Sequence, residues 1–182
     1  RYLDEASLRV DLGTGGSSTS VGLAGSFALN DIFGSTEAFL AGSRLVTSKG
    51  DITLDASRSG GIRALTASVA GTAQKEGLNL SGNVSINELD NVTAAYLLGA
   101  DINALAEASN GQAGALTLSA EDESSIYAIG GAVTLGGKGG FGATVVVNDV
   151  GNETQAYSSR SRVRTAGDFA LTARNANDIR SI

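Results

Sequence analysis

Apolar and polar residues alternate along most of this chain with a period of two. The run Ser26-Phe27-Ala28-Leu29-Asn30-Asp31-Ile32 sets the pattern. The same order of residue types returns as Asn83-Val84-Ser85-Ile86-Asn87-Glu88-Leu89 and again as Thr144-Val145-Val146-Val147-Asn148-Asp149-Val150. A period of two puts successive side chains on opposite faces of an extended strand. Val145 and Val147 then share one apolar face, as do Ile52 and Leu54. Those aliphatic faces are expected to be sealed inside. Thr, Val, Ile and Tyr favour strands. Short Gly-rich and Asn/Asp-rich breaks between the runs read as turns. The stretch from Thr93 to Ala108 is rich in Ala and Leu, but Gly99 interrupts it. Its counterparts beginning at Thr36 and Thr154 do not read as helix.

The three anchors, near 26–32, 83–89 and 144–150, open a longer correspondence. Their spacings are 57 and 61 residues. Downstream of each Asn stands a threonine (Thr36, Thr93, Thr154), then an alanine (Ala38, Ala95, Ala156), then an aromatic (Phe39, Tyr96, Tyr157). A branched aliphatic follows at Leu45, Ile102 and Val163. After a break, longer in the middle copy at Ala106 to Gln112, a second alternating run begins at Ile52, Leu116 and Phe169. It leads to Ile62, Ile126 and Ile179, and Leu8 fits the place of Ile126 in an earlier copy. Spacing and residue type repeat while identity does not. That is the mark of a structure that dictates which way each residue faces. The chain, 1–182, therefore reads as one continuous β-solenoid segment with cut copies at both ends. It opens on Arg1-Tyr2, without Met or a signal peptide, and reads as a fragment of a longer protein.

Composition narrows the architecture and the chemistry. Of 182 residues 42% are hydrophobic, so disorder is not expected. Only five Phe, four Tyr and no Trp are present, and an interior of Ala, Val, Leu and Ile suits stacked sheets better than a globular core of rings. Propeller blades carry aromatic signatures that are missing here, and sandwich domains need larger core residues. A parallel β-solenoid is left, with two or three coils of roughly 20–30 residues in each repeat. In that arrangement Asn30, Asn87 and Asn148 are expected to be structural turn residues along one line of the solenoid, bonding neighbouring backbone. Absence of Cys and His removes disulfides, thiolate and imidazole metal sites, and the usual nucleophile–base pairs. A net charge of −6 argues against a nucleic-acid surface. No apolar run of membrane-spanning length exists.

The pattern G-x-x-x-x-V-x-V-N-x-(I/V/L), then T-x-A-(Y/F), then I-x-L-x-A, resembles the repeats of large bacterial surface adhesins. These are filamentous-haemagglutinin-like or autotransporter-type passengers, leukotoxin-like filamentous adhesins among them. The resemblance runs from about Leu8 onward. It implies a right-handed parallel β-helix, export to the cell surface or secretion, and a role in adhesion or biofilm. It brings no catalytic residue, cofactor or metal. The partners it implies are a host-cell or matrix surface, a glycan or another adhesin copy, with no membrane insertion by this segment.

Several short motifs have an ordinary explanation. Asp11-Leu12-Gly13-Thr14-Gly15-Gly16 and Gly137-Lys138-Gly139-Gly140-Phe141-Gly142 look like phosphate-binding loops, but the first lacks the two large α/β lobes and further acidic motifs its fold needs, and the second is followed by a strand, Ala143 to Val147, where a helix is required. Lys49-Gly50-Asp51 resembles an integrin-recognition tripeptide, and Ala166-Gly167-Asp168 holds the same place in the third copy. A Gly-Asp turn before a strand explains both. Glu121-Asp122-Glu123 reads as a solvated turn rather than a calcium site. Asn79, Asn83, Asn91 and Asn152 stand in N-x-Ser/Thr triplets. The concentrated basic feature is Arg160, Arg162 and Arg164, which alternate and so share one strand face. They are the candidate contact to an anionic glycan.

The expected function is a non-enzymatic stalk segment of an adhesin. The alternative is a β-helix polysaccharide lyase or epimerase, which can work with Lys or Arg as base and no His. Such enzymes break their repeat to build a groove. The main irregularity here, Ala106–Gln112, contains Glu107 but no Lys or Arg.

Overall fold

The computed structural model describes residues 6–10, 21–46, 51–72, 77–104, 114–136 and 138–182. Every regular element among them is a strand. In chain order these are β1 (Ala6–Val10), β2 (Val21–Ala41), β3 (Arg44–Val46), β4 (Ile52–Gly71), β5 (Leu78–Leu98), β6 (Asp101–Ala104), β7 (Leu116–Leu135), β8 (Gly139–Val150), β9 (Glu153–Ser159), β10 (Arg162–Thr165) and β11 (Phe169–Ser181). They form three sheets. The first has the order β1-β2-β5-β8, with β9 also on β5; the second is β10-β6-β3 and the third β11-β7-β4. All pairings except β1 on β2 are parallel. The chain thus visits the sheets in a fixed order three times: β2, β3, β4; then β5, β6, β7; then β8 with β9, β10, β11.

Strand register places the repeat positions side by side. Phe27 pairs with Val84 and Val84 with Val145. Thr36, Thr93 and Thr154 share a column, as do Phe39, Tyr96 and Tyr157. Leu45, Ile102 and Val163 align in the second sheet. Ile52, Leu116 and Phe169 align in the third, and so do Ile62, Ile126 and Ile179. Neighbouring repeats are hydrogen-bonded directly. One repeat is therefore a single pass through all three sheets, and not two or three coils. The strands are long enough to use the whole repeat: β2 and β5 have 21 residues each. Residues 6–10 depart from the pattern. They run antiparallel along β2, with Leu8 opposite Phe27, so Leu8 does not take the place of Ile126.

The interior between the first and third sheets has two different halves. One half is a conventional core. Leu97, Ile102, Leu116 and Leu118 are fully buried with Ala56, Ala95 and Ala120, and Ile52 and Leu54 pack on them. Leu89, Ile62 and Ile126 continue it. In the other half the sense is reversed. The inward residues of β5 are Asn79, Ser81, Asn83, Ser85 and Asn87, all buried, and Thr66 and Ser68 of β4 are buried on the facing sheet. The aliphatic residues there point outward. Val145 is 52% exposed and Val147 47%, which corrects the expectation that their face is sealed.

The reversal has a steric cause. In this half the two sheets approach closely. A Cβ at Gly140 would meet the Thr134 side chain, and one at Gly130 the Thr144 side chain. Face-to-face sheets filled with aliphatics need about 10 Å of spacing, so only small side chains fit here. Amides bridge the gap instead: Asn79 Nδ2 donates to the carbonyls of Leu135 at 3.0 Å and Gly136 at 2.7 Å, and Asn83 Nδ2 to that of Thr66 at 3.4 Å.

Candidate functional site

Two features carry the chemistry: polar ladders inside and an arginine corner outside. Asn30, Asn87 and Asn148 lie within strands β2, β5 and β8 rather than at turns. Their neighbours are one another. Asn30 Nδ2 donates to Asn87 Oδ1 at 2.7 Å, Asn87 Nδ2 to Asn148 Oδ1 at 2.7 Å, and Asn148 Nδ2 to Ser181 Oγ at 2.6 Å. A carboxamide can do this because it has a donor and an acceptor on opposite sides. A second column runs from Ser26 Oγ to Asn83 Oδ1 at 2.9 Å, and from Asn83 Nδ2 to Thr144 Oγ1 at 3.3 Å. Outside, Phe39, Tyr96 and Tyr157 stack with ring centroids 5.1 Å and 4.9 Å apart. Tyr96 Oη also donates to Glu37 at 3.2 Å. Desolvation first, then the Glu37 charge and this hydrogen bond, raise the Tyr96 phenol above its ordinary value.

The arginine corner forms where the first sheet hands over to the second. Gly42, Gly99 and Arg160 are equivalent positions just past β2, β5 and β9, and all have positive φ: 57°, 62° and 50°. Glycine adopts this left-handed conformation freely, whereas a residue with a Cβ is strained there by roughly 1–2 kcal/mol. Arg160 thus occupies a glycine position at an energetic cost. Strain of this kind gathers at functional sites. Arg162 and Arg164 follow on β10, both exposed. Only these two share a strand face; Arg160 stands ahead of it at the corner. Arg162 is in register with Asp101, and Asp101 with Arg44, so two arginines flank one aspartate; Arg164 is in register with Asn103. A shallow hollow beside them is lined by Gly99, Asp101, Arg160 and Arg162. The frame beneath is tied down by Ala100 N–H donating to Ser161 Oγ at 3.0 Å and Arg162 N–H donating to the Ala100 carbonyl at 2.8 Å. Planar guanidiniums on a rigid edge suit sulfate or carboxylate groups.

The other candidates resolve differently. Glu121-Asp122-Glu123 is part of strand β7, not a turn. Glu121 and Glu123 point outward and both meet the Arg174 guanidinium, which they hold above its ordinary pKa. Asp122 points inward and is fully buried. It accepts from Ser124 Oγ at 2.6 Å, Asn152 Nδ2 at 3.0 Å and Thr93 Oγ1 at 3.3 Å. Sequence reading missed this network because three adjacent acids look uniformly solvated until alternation is applied to them. Asn79, Asn83 and Asn91 of the glycosylation triplets are at most 3% exposed, so no glycan reaches them in the folded chain. Asp51 Oδ1 accepts from Ala115 N–H at 2.9 Å and Gly167 N–H donates to the Gly114 carbonyl at 2.9 Å; both are engaged in the frame. Gly139, Gly140 and Gly142 lie inside β8, not in a loop. Residues 11–16, Lys49, Gly50, Gly137 and the Ala106–Gln112 insertion lie outside the described residues.

A cavity of about 520 Å³ is lined by Thr36, Arg58, Leu89, Asn91 and Ser124 among others, with one cation and no carboxylate in its wall. Among the described residues no group of three or more Asp or Glu is placed to hold a metal ion. No helix there is long and apolar enough to cross a membrane. A comparison of the chain with protein families, curated proteins and solved structures finds no match to any of them.

Proposed function

We propose that this chain is a non-enzymatic segment of a secreted or cell-surface bacterial adhesin, wound as a right-handed parallel β-helix with one turn per repeat. Its arginine corner contacts an anionic glycan on a host-cell or matrix surface. Neither nucleic acid nor membrane insertion belongs to this reading. The observation that carries it is Arg160 held in a left-handed conformation where both sister repeats have glycine. A purely structural corner would keep glycine at no cost. The register-locked sheets beneath supply the rigidity that a display surface needs.

The test is binding of the purified chain to an immobilised sulfated glycosaminoglycan across a salt series. Saturable binding that weakens with salt is expected. The triple variant Arg160→Gly, Arg162→Ser, Arg164→Ser should bind at least about ten-fold more weakly, a loss of about 1.4 kcal/mol, with an unchanged circular dichroism spectrum. Equal binding by the variant overturns the assignment of the corner. Unsaturated uronate ends appearing on incubation with uronate polymers would replace the adhesin reading with the lyase one.

A further inference from the structure

The outward side of the reversed half is an apolar surface on a protein whose interior there is polar. On the first sheet it is built of three columns. Leu23, Leu80 and Phe141 are 42%, 46% and 65% exposed. Phe27, Val84 and Val145 form the second column and Leu29, Ile86 and Val147 the third. Val21 and Leu78 extend the patch toward the strand starts. Nine of its eleven large apolar side chains are 38–65% exposed; an aromatic side chain presents about 150–250 Å² in full and an aliphatic one somewhat less, so the patch measures on the order of 900 Å². Monomeric proteins rarely leave more than about 300–600 Å² of contiguous apolar surface uncovered. A stable interface needs about 800 Å² from each partner.

We propose that this half-face of the first sheet docks against the same half-face of a second copy of the chain. The area fits one flat protein surface of equal size. Hydrocarbon is the poorer occupant, because the described sheets end in open strand edges, whose unpaired N–H and C=O groups lipid cannot satisfy. The small column Gly25, Gly82 and Ala143 runs through the patch as a furrow, along which two copies can approach closely. A two-fold axis through that furrow makes the contact self-complementary. It also reverses strand direction across the interface. The exposed acidic column Asp31, Glu88 and Asp149, which bounds the patch at one end, then meets the opposite end of the partner's patch instead of the partner's acids. The apolar residues on the outer side of the third sheet, Leu65 and Val69 with Val133 and Leu135, form a smaller patch and stay outside the contact.

Sedimentation equilibrium of the purified chain tests this. A concentration-dependent monomer–dimer equilibrium is expected. The outward substitutions Leu23→Lys with Val145→Lys should weaken it at least about 100-fold, that is by about 2.7 kcal/mol, with an unchanged circular dichroism spectrum. Leu65→Lys with Val69→Lys on the other sheet should leave it intact. The chain has no cysteine, so Gly82→Cys, in the furrow on the axis, gives a clean reporter: a short bis-maleimide should couple it to the same residue of the second copy, and Leu65→Cys should not be coupled. The proposal is overturned if the wild-type chain is monomeric at about 100 μM, well above the affinity range of interfaces this size. It is also overturned if the third-sheet variants abolish the dimer as fully as the first-sheet ones. Flotation of a monomeric wild-type chain with phosphatidylcholine vesicles would make the apolar face a lipid surface instead.

Discussion

Asn87 is the midpoint of an amide chain that crosses three repeats, and it is fully buried. It accepts from Asn30 and donates to Asn148, and its Nδ2 also reaches Ser85 Oγ at 3.3 Å. Asn87→Ala would strip a partner from both neighbours. It is expected to lower the free energy of unfolding by about 2–3 kcal/mol, because each orphaned buried polar group costs about 1–3 kcal/mol. Urea denaturation measures this, and Asn30→Ala, at the half-buried end of the chain, should cost less. Arg160 predicts the opposite sign. Arg160→Gly removes the Cβ from a left-handed residue and should stabilise the fold by about 1 kcal/mol, while it weakens glycan binding. A variant that is both less stable and unchanged in binding would refute the functional account of the corner. None of this conformational information is visible in the residue name: the alternation of Arg160, Arg162 and Arg164 suggested one strand face, and a backbone dihedral moved Arg160 off it.

Among the elements, the long strands set the register and the connections follow. β6 and β7 are each paired on both sides, to β3 and β10 and to β4 and β11. The residues between β6 and β7 therefore have little influence on where those strands lie. Deletion of Ala106–Gln112 should leave a folded chain whose melting temperature shifts by no more than a few degrees, since loop length enters stability only logarithmically. Cooperative unfolding at a much lower temperature would show that the insertion is structural. The aromatic column offers a pH-dependent readout. The Tyr96 phenol titrates above its unfolded value, so the unfolded chain loses that proton first. The associated stability is fully present below about pH 10, the unfolded value, and is lost as pH rises through the folded value. Ultraviolet titration of the wild-type chain against Tyr96→Phe should show the variant lacking the late-titrating phenol. The columns themselves were legible from spacing, because parallel strands hydrogen-bonded in register must superpose equivalent positions. The length of one pass was not, because a period of two continues unchanged whether the chain turns after ten residues or after twenty.

The whole molecule is wider than it is deep. A strand of 21 residues spans up to about 70 Å at about 3.3 Å per residue, while each further repeat adds only one strand spacing of about 4.8 Å to the stack. Reach is therefore gained slowly, and most of each repeat is spent on breadth of surface. Small-angle scattering of the monomeric Leu23→Lys, Val145→Lys variant is expected to give a radius of gyration near 20 Å. A compact domain of 182 residues would give about 16 Å, and that value would refute the flat shape. Breadth also explains how two kinds of surface coexist on one frame: the arginine corner at the end where the core is aliphatic, and the apolar faces at the end where the interior is amide.

Residue spacing alone determined that the chain is all-β, that its repeats superpose, and which side chains stand in each column. Hydrogen bonding between parallel strands demands that much, and a repeat of types is enough to encode it. Which side of each strand became the inside was decided in three dimensions. Alternation separates two faces but does not rank them. The ranking came from the distance between the first and third sheets: wide enough for Leu97 and Leu118 at one end, and at the other so narrow that glycine, alanine, Ser, Thr and Asn make up most of the lining.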